Sequence, residues 1–222
     1  MTRVHVICEG QTEETFVNEI LQPPLSASGI HLYPALIGRP GHKGGNISFD
    51  RALRDIRNRL CGDTEAYCTT FFDYYGIHPD FPGRAGANQA WSPREKFEHF
   101  RMELSKEILT KLGENPASRF IPYVQMYEFE GLLFTCPHRF SIGIGEPTSE
   151  QQLREVRDAF ATPEHINDSV NTAPSKRVGR ISHGYQKPLH GIIAALEIGL
   201  SDIRQECRLF DEWLSSLEAL ED

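Results

Sequence analysis

The sequence lacks any segment that would carry the chain into or across a membrane. It contains no run of about 18 apolar residues, the length that a membrane-spanning helix requires. Its first residues lead directly into a strand pattern at Val4 and show no apolar signal-peptide core. We therefore expect a cytoplasmic protein without membrane association.

The sequence also lacks the cysteine patterns and glycine-rich motifs of several enzyme classes. Its five cysteines form no C-x-x-C pair, which indicates reduced thiols and argues against a zinc site. The phosphate-binding motif G-x-x-x-x-G-K-[ST] is absent, and the first strand and its turn lack G-x-G-x-x-G. These absences argue against a P-loop nucleotide hydrolase and a dinucleotide-dependent enzyme.

Basic residues are in the minority, and the formal net charge is −8 over 222 residues. A protein that coats nucleic acid without specificity needs a basic face, so this charge argues against that class. It leaves open a nuclease with a local basic cleft. It also leaves open an acidic surplus that comes from carboxylates gathered around a cation.

Strand and helix patterns alternate through the first part of the chain. The predicted strands cover residues 4–8, 31–37 and 66–76, and residues 119–134 are predicted as a fourth strand that runs into a short helix. This order predicts an α/β fold, a mostly parallel sheet flanked by helices, with a helical C-terminal extension. The extension is predicted to hold helices over residues 149–160 and, as two stretches, 189–220. We expect a core over residues 1–140 and a helical part over residues 141–222 that packs on it, with one single domain as the alternative.

Several helix ends can be predicted from local signals. The first helix is predicted over Thr12–Leu21, with Pro23-Pro24 as its end. Ser48 is placed to cap the next helix. A later helix has a complete start signal: Ser92 as the cap, a proline in the first turn, and Glu95 as the capping-box residue.

Carboxylates follow three of the predicted strands. Glu9, Asp73 and Glu128 each stand where a strand ends, and open parallel sheets bind ligands outside these carboxyl ends. Neighbouring carboxylates repel one another, and a divalent cation such as Mg²⁺ or Mn²⁺ removes that penalty. The alternative is that each residue is an ordinary helix cap or a solvated turn residue.

An ordered set of motifs resembles a known family over nearly the whole chain. The set begins with V-x-x-E-G-x-T-E at the first strand, "FFDYYG" at the third and "YEFEGLLF" at the fourth. It continues with "TAPSKR", with Y-x-K at Tyr185 and Lys187, and with F-x-x-W-L at residues 210–214. The chain in this respect resembles a bacterial domain of unknown function, DUF4276, which is similar to the Toprim domain of topoisomerases, primases and overcoming-lysogenization-defect nucleases.

The resemblance implies Mg²⁺- or Mn²⁺-dependent phosphodiester chemistry. Glu9 matches the Toprim glutamate, an acid–base group or metal ligand, and Asp73 matches the first aspartate of the Toprim D-x-D motif. The second aspartate is missing, because Tyr75 stands at its position. The candidates to replace it or to add further metal ligands are Asp80, Glu128, Glu130 and Glu13.

Cationic side chains are the second requirement of such chemistry, because charge spreads over the phosphoryl oxygens during transfer. Lys176 and Lys187 are the candidate catalytic cations. Arg39 and Lys43 of a glycine-rich loop, together with Arg177, are the candidates for binding phosphate or nucleic acid. For the loop and for the segment around Lys176 the alternative is ordinary solvated charge.

These residues support a leading hypothesis and two alternatives. The leading one is a Toprim-like nuclease acting on DNA or RNA, which by resemblance works beside an ATPase of the ABC or structural-maintenance type in bacterial anti-phage defence. The second is a non-catalytic regulatory subunit that keeps the fold without the complete D-x-D motif. The third is phosphoryl transfer on a small nucleotide.

Overall fold

The computed structural model describes residues 1–38, 46–167, 169 and 171–220. The chain forms two compact units. The first contains Met1–Val124 and the segment from Ser215 onward, and the second contains Gln125–Leu214. The C-terminal residues therefore contribute to both units.

The first unit is built on a sheet of five strands. They are β1 (Thr2–Cys8), β2 (Ile30–Leu36), β3 (Tyr67–Asp73), β4 (Phe120–Ile121) and β5 (Val124–Gln125). The strand order is β2-β1-β3-β4, and each neighbouring pair in this order is parallel. The short β5 also pairs with β3, and the division between the two units falls within β5.

The central strands β1 and β3 determine where the candidate site lies. Every residue of β3 after Tyr67 is buried, as expected for a β-branched and aromatic run in a parallel sheet that is covered on both faces. The register pairs Val4 with Tyr67 and Cys8 with Phe71. Both strands consequently end at the same edge of the sheet.

The helices of the first unit include one whose predicted end is wrong. They are α1 (Gln11–Phe16), α2 (Gln22–Ala27), α3 (Phe49–Gly62), α4 (Pro93–Leu112) and α5 (Glu114–Ala117). Pro23-Pro24 does not end the first helix, because Val17–Leu21 forms a π-helical turn and the helix continues to Ala27. Both prolines lie in the first turn of α2, where a missing N–H is tolerated since the π turn has already interrupted the regular hydrogen-bond ladder.

Helix α4 confirms its predicted start. The Ser92 hydroxyl accepts a hydrogen bond from the Glu95 N–H (3.3 Å), and the Glu95 carboxylate accepts one from the Ser92 N–H (2.7 Å). The apolar face of α4 is at most 1% exposed at Phe97, Phe100, Leu104 and Ile108. Helix α3 also begins after its predicted cap, Ser48, but the Ser48 side chain makes no capping hydrogen bond.

The second unit is helical. It contains α6 (Glu130–Leu133), α7 (Pro137–Gly143), α8 (Glu150–Asp158), α9 (Pro174–Ile181), α10 (Ile192–Ile198), α11 (Leu200–Glu206) and most of α12 (Arg208–Glu218). The short helix predicted to follow the strand in residues 119–134 is α6, but the strand itself is divided into the two-residue strands β4 and β5. Pro122 stands between them, and proline cannot donate to a strand ladder. The predicted stretch over residues 189–220 is divided further at Gly199, which has a φ of 86°, and at Cys207.

The predicted fold class is confirmed. The chain has a mostly parallel sheet flanked by helices, followed by C-terminal helices. Across the described ranges of the chain, no helix has the length and apolar character needed to span a bilayer.

The two serines that precede α3 and α4 make a matched test of helix capping. Ser92→Ala should lower the free energy of unfolding by about 1 kcal/mol, because it removes the acceptor for the Glu95 N–H. Ser48→Ala should have a smaller effect, since the Ser48 side chain makes no such bond. Urea denaturation followed by circular dichroism measures both, and equal losses would contradict the assignment of the cap at Ser92.

Candidate functional site

Glu9 and Asp73 meet at the carboxyl edge of the sheet. Glu9 directly follows β1 and its N–H donates to the Phe71 carbonyl (3.1 Å), which extends the pairing with β3. The Glu9 carboxylate then accepts a hydrogen bond at Oε2 from the Asp73 N–H (3.0 Å). Asp73, the last residue of β3, is only 5% exposed. The structure thus brings together the two residues that the first and third strands were predicted to present, through the Asp73 backbone and the Glu9 side chain.

Gly76 packs directly against the Glu9 carboxyl group. A Cβ at this position would lie 2.0 Å from Glu9 Oε2 and 2.3 Å from Oε1, well inside any permitted contact. Gly76 has no positive φ, so its backbone conformation does not require glycine. The turn after β3 is closed by a hydrogen bond from the Gly76 N–H to the Asp73 carbonyl (2.8 Å). Gly76 therefore leaves the space that Glu9 occupies.

Glu13 and Asp80 belong to the same unit but have different surroundings. Glu13 is 2% exposed, and its Oε2 accepts a hydrogen bond from the Gly10 N–H (2.9 Å) at the start of α1. Asp80 has a 90% exposed side chain, with Oδ2 at 3.5 Å from His78 Nδ1. Asp80 and His78 line an open groove of about 300 Å³ together with Ser48, Phe49, Asp50 and Phe81, and Glu13 is not part of its lining.

In the second unit, Glu130 and Lys187 form an ion pair. Glu130 begins α6 with a side chain that is 1% exposed, and its Oε2 lies 3.3 Å from Lys187 Nζ. The same ammonium group lies 5.7 Å from the ring centroid of Phe129. Both predicted site residues are thereby engaged with each other, and the Lys187 charge is held by a buried carboxylate.

Glu128 interacts with the start of α9, the helix that begins within the "TAPSKR" motif. Its Oε2 accepts a hydrogen bond from the Ser175 N–H (2.8 Å) in the first turn, where a carboxylate interacts favourably with the helix dipole. Lys176 lies in that turn and is exposed. Glu128 therefore has a local role at the helix end, whatever further role it has.

Of the three arginine and lysine candidates for phosphate binding, one lies among the described residues. Arg177 is half-buried; its Nε donates to the Thr172 carbonyl (2.7 Å), and its guanidinium carbon lies 5.0 Å from the Phe160 ring centroid. Arg39 and Lys43 lie outside the described residues. Arg177 thus holds the segment before α9, and the phosphate-binding role of all three residues stays a prediction.

Three cysteines are buried in places that disfavour thiolate chemistry. Burial raises the pKa of the Cys8, Cys68 and Cys207 thiols well above the ordinary value. A thiol must ionise to act as a nucleophile or as a metal ligand. These three residues act as small apolar side chains of the two cores.

The chemistry of the donors at the sheet edge fits a hard divalent cation. Mg²⁺ is commonly held by one or two carboxylates, while waters and substrate phosphates complete its shell. Glu9 and Asp73 supply two carboxylates from neighbouring strand ends, and the backbone N–H of Asp73 donates to the Glu9 carboxylate. Within the described ranges, no group of three or more histidine, cysteine, aspartate or glutamate residues is arranged to hold a metal ion. The fit therefore rests on these two carboxylates.

The chain belongs to the family described as a domain of unknown function, DUF4276, whose model matches residues 8–218. The matched range contains both Glu9 and Asp73 and the whole of the second unit. No curated protein and no solved structure matches the chain. The family membership is thus shown, while the likeness to Toprim domains stays a prediction.

The sequence motifs do not indicate a role for two residues near Glu9. Gly76 is the last residue of the "FFDYYG" motif, and Arg84 belongs to none of the motifs. Arg84 donates to the carbonyl groups of Tyr74 and Ile77, on both sides of Gly76. Neither role has a local sequence signal, because each depends on a contact that only the folded chain creates.

The ion pair in the second unit gives a stability test. Lys187→Met should lower the free energy of unfolding by about 2–3 kcal/mol, because it leaves the Glu130 carboxylate buried without this cation. Adding Glu130→Gln should recover part of that loss, since the buried charge is then removed as well. The exposed Lys176→Met is the control, with an expected change within about 0.5 kcal/mol. In urea denaturation, strictly additive effects of the two substitutions would show that the pair has no energetic coupling.

Proposed function

We propose that this protein is a Mg²⁺- or Mn²⁺-dependent nuclease of the Toprim-like class, which hydrolyses phosphodiester bonds in DNA or RNA. The observation that best supports the proposal is the hydrogen bond between the Asp73 N–H and the Glu9 carboxylate. It joins two acidic residues at the edge where open parallel sheets bind their ligands. A deep binding pocket is not needed for this, because a polymer substrate lies along an open surface.

In this proposal Glu9 and Asp73 are the residues that hold the cation. When bound, the cation supplies charge stabilisation at the phosphate oxygens and lowers the pKa of a bound water. The Asp73 N–H holds Oε2 of Glu9 and so limits the directions in which this carboxylate could bind the cation or accept a proton. The Gly76 backbone excludes other positions of the same carboxyl group on one side.

The second unit supplies further elements of the proposal. Lys176 is exposed, and Lys187 Nζ lies 3.3 Å from Glu130 Oε2; in this proposal both stay the predicted cations for phosphate. From the family resemblance come three more predictions: Arg39 and Lys43 as phosphate contacts, an ATPase partner of the ABC or structural-maintenance type, and a role in anti-phage defence.

A second candidate function is favoured by the contacts of the remaining acidic residues. Glu130 pairs with Lys187, and Glu128 accepts a hydrogen bond from the start of α9. Carboxylates used in this way stabilise a fold without chemistry. They support a non-catalytic regulatory subunit, which would keep the sheet edge as a binding surface for a partner.

A cleavage assay separates the two candidates. We expect the wild-type protein to cleave plasmid DNA or transfer RNA with Mg²⁺ or Mn²⁺ and to stop when EDTA is added. Glu9→Gln and Asp73→Asn should each lower the rate by about 100-fold or more, because they remove charge but little volume. The control is Glu19→Gln, which changes an exposed carboxylate in the π-helical turn after α1 and should keep full activity.

Calorimetric titration with Mn²⁺ completes the same test. Binding that is lost in Glu9→Gln supports the proposed ligand pair. If the wild-type chain cleaves neither substrate and binds no Mn²⁺, the nuclease proposal fails and the regulatory subunit is supported. Cleavage that survives both substitutions also ends the proposal, because the chemistry would then lie elsewhere.

Gly76→Ala tests the position of Glu9 without changing its charge. The added Cβ would overlap the Glu9 carboxyl group, which is the end of a flexible side chain and can move away. We therefore expect cleavage to fall by about 100-fold, while the free energy of unfolding changes by less than about 1 kcal/mol. Gly62→Ala, with open space around its Cβ, is the matched control. Unchanged cleavage in Gly76→Ala would show that the observed Glu9 position is not needed.

A further inference from the structure

The loop after β3 is fixed to helix α4 by aromatic packing and by a close backbone contact. The Phe81 ring stacks on Phe100 with 5.9 Å between ring centroids and an interplanar angle of 10°, and it meets Phe72 of β3 edge-on. Gly83 has a φ of 82°, and a Cβ there would lie 2.2 Å from the Phe100 Cα. The backbone at residues 81–83 is therefore held on α4. These contacts also fix the backbone position of the next residue, Arg84.

Arg84 extends from this point to the turn that follows Asp73. Its Nη1 donates to the Tyr74 carbonyl (2.9 Å) and also to the Ile77 carbonyl. Its guanidinium carbon lies 5.3 Å from the Tyr74 ring centroid and 5.9 Å from that of Tyr75. One half-buried cation thus contacts three of the four residues from 74 to 77.

The turn that Arg84 contacts is the one that holds the Glu9 carboxylate. Asp73 donates its N–H to Glu9 from the first residue of this turn, and the Gly76 backbone packs against the same carboxyl group. Ile47 supports the turn from another side, through its N–H to the Gly76 carbonyl (2.9 Å). Arg84 connects this turn to the loop that Phe81 and Gly83 hold on α4, a connection that the backbone pairing with Ile47 does not make.

We propose that Arg84 is a positioning residue for Glu9. It ties the turn after Asp73 to the loop anchored on α4, so that the Asp73 N–H and the Gly76 backbone keep the Glu9 carboxylate in one place. Arginine suits this role because its planar, permanently charged group can donate to several carbonyls while it lies over aromatic rings. The expected effect of Arg84 on cleavage rests on the proposed nuclease function. Its effect on the position of the Glu9 carboxylate does not.

The Asp73 amide provides a direct reading of this role by NMR. Because its N–H is donated to Glu9, Glu9→Gln should shift its resonance and speed its hydrogen exchange. Arg84→Met should shift the resonance in the same direction and raise the exchange rate about tenfold or more, while the amides of Thr69 and Thr70 in β3 stay unchanged. Arg84→Lys should give an intermediate effect, since it keeps the charge but loses the planar group.

Arg94→Met is the matched control, because Arg94 lies on the exposed side of α4 and pairs with Glu98 there. It should leave the Asp73 amide and the cleavage rate as in the wild type. In the cleavage assay, Arg84→Met should lower kcat by about 10- to 100-fold with little change in KM, and Arg84→Lys should restore part of the rate.

The outcomes separate this inference from the proposed function. An Asp73 amide that keeps its wild-type resonance and exchange rate in Arg84→Met overturns the positioning role, with or without cleavage. A perturbed Asp73 amide supports the positioning role. This holds even if the wild-type chain shows no cleavage and the nuclease proposal has failed. If Arg84→Met does not fold, Arg84→Lys decides in the same way, since an unperturbed amide in that variant overturns the role.

Discussion

The parallel register of β1 and β3 is the constraint on which the candidate site depends. Pairing of Cys8 with Phe71 makes both strands end at one edge, and the next residues, Glu9 and Asp73, are joined by a hydrogen bond across that edge. A slip of one residue would turn every side chain of β3 to the opposite face of the sheet. The buried, β-branched and aromatic composition of β3 fixes the register, so core packing also determines the position of the acidic pair.

The acidic residues of the second unit show a different use of charge. Glu164 is 3% exposed and accepts hydrogen bonds from the N–H groups of Leu209 (3.0 Å) and Phe210 (2.9 Å) at the start of α12. Glu128, which is only partly buried, accepts one such bond at the start of α9, and the buried Glu130 pairs with Lys187. Buried carboxylates are tolerated when donors surround them, and each of these orders a helix or a turn. The net negative charge of the chain therefore does not by itself point to a cation.

Local signals in the sequence predicted those features that local physics determines. The start of α4 follows from Ser92 and Glu95, and the strand ending at Asp73 follows from its composition. The length of the first helix did not follow, because a π turn before the two prolines is not visible in the residue pattern. The contacts of Gly76 and Arg84 with the Glu9 region could not be predicted from the sequence either, because they join segments that only the β1–β3 pairing brings together. The sequence could therefore name Glu9 and Asp73, but not the residues that hold them.

The glycine at position 76 bears on whether Glu9 has a function. Alanine at a site with negative φ would reduce the entropy of the unfolded chain and stabilise the fold by about 0.4–1 kcal/mol where space allows. The three atoms nearest to a Cβ at this position all belong to the Glu9 carboxyl group. If Glu9 were only a solvated turn residue, its side chain could move aside and alanine would be favoured. Glycine here makes sense when the carboxylate must stay against the turn, with Oε2 on the Asp73 N–H. The space left at Gly76 therefore accommodates the Glu9 carboxylate in its observed place, as the proposed role of Glu9 requires.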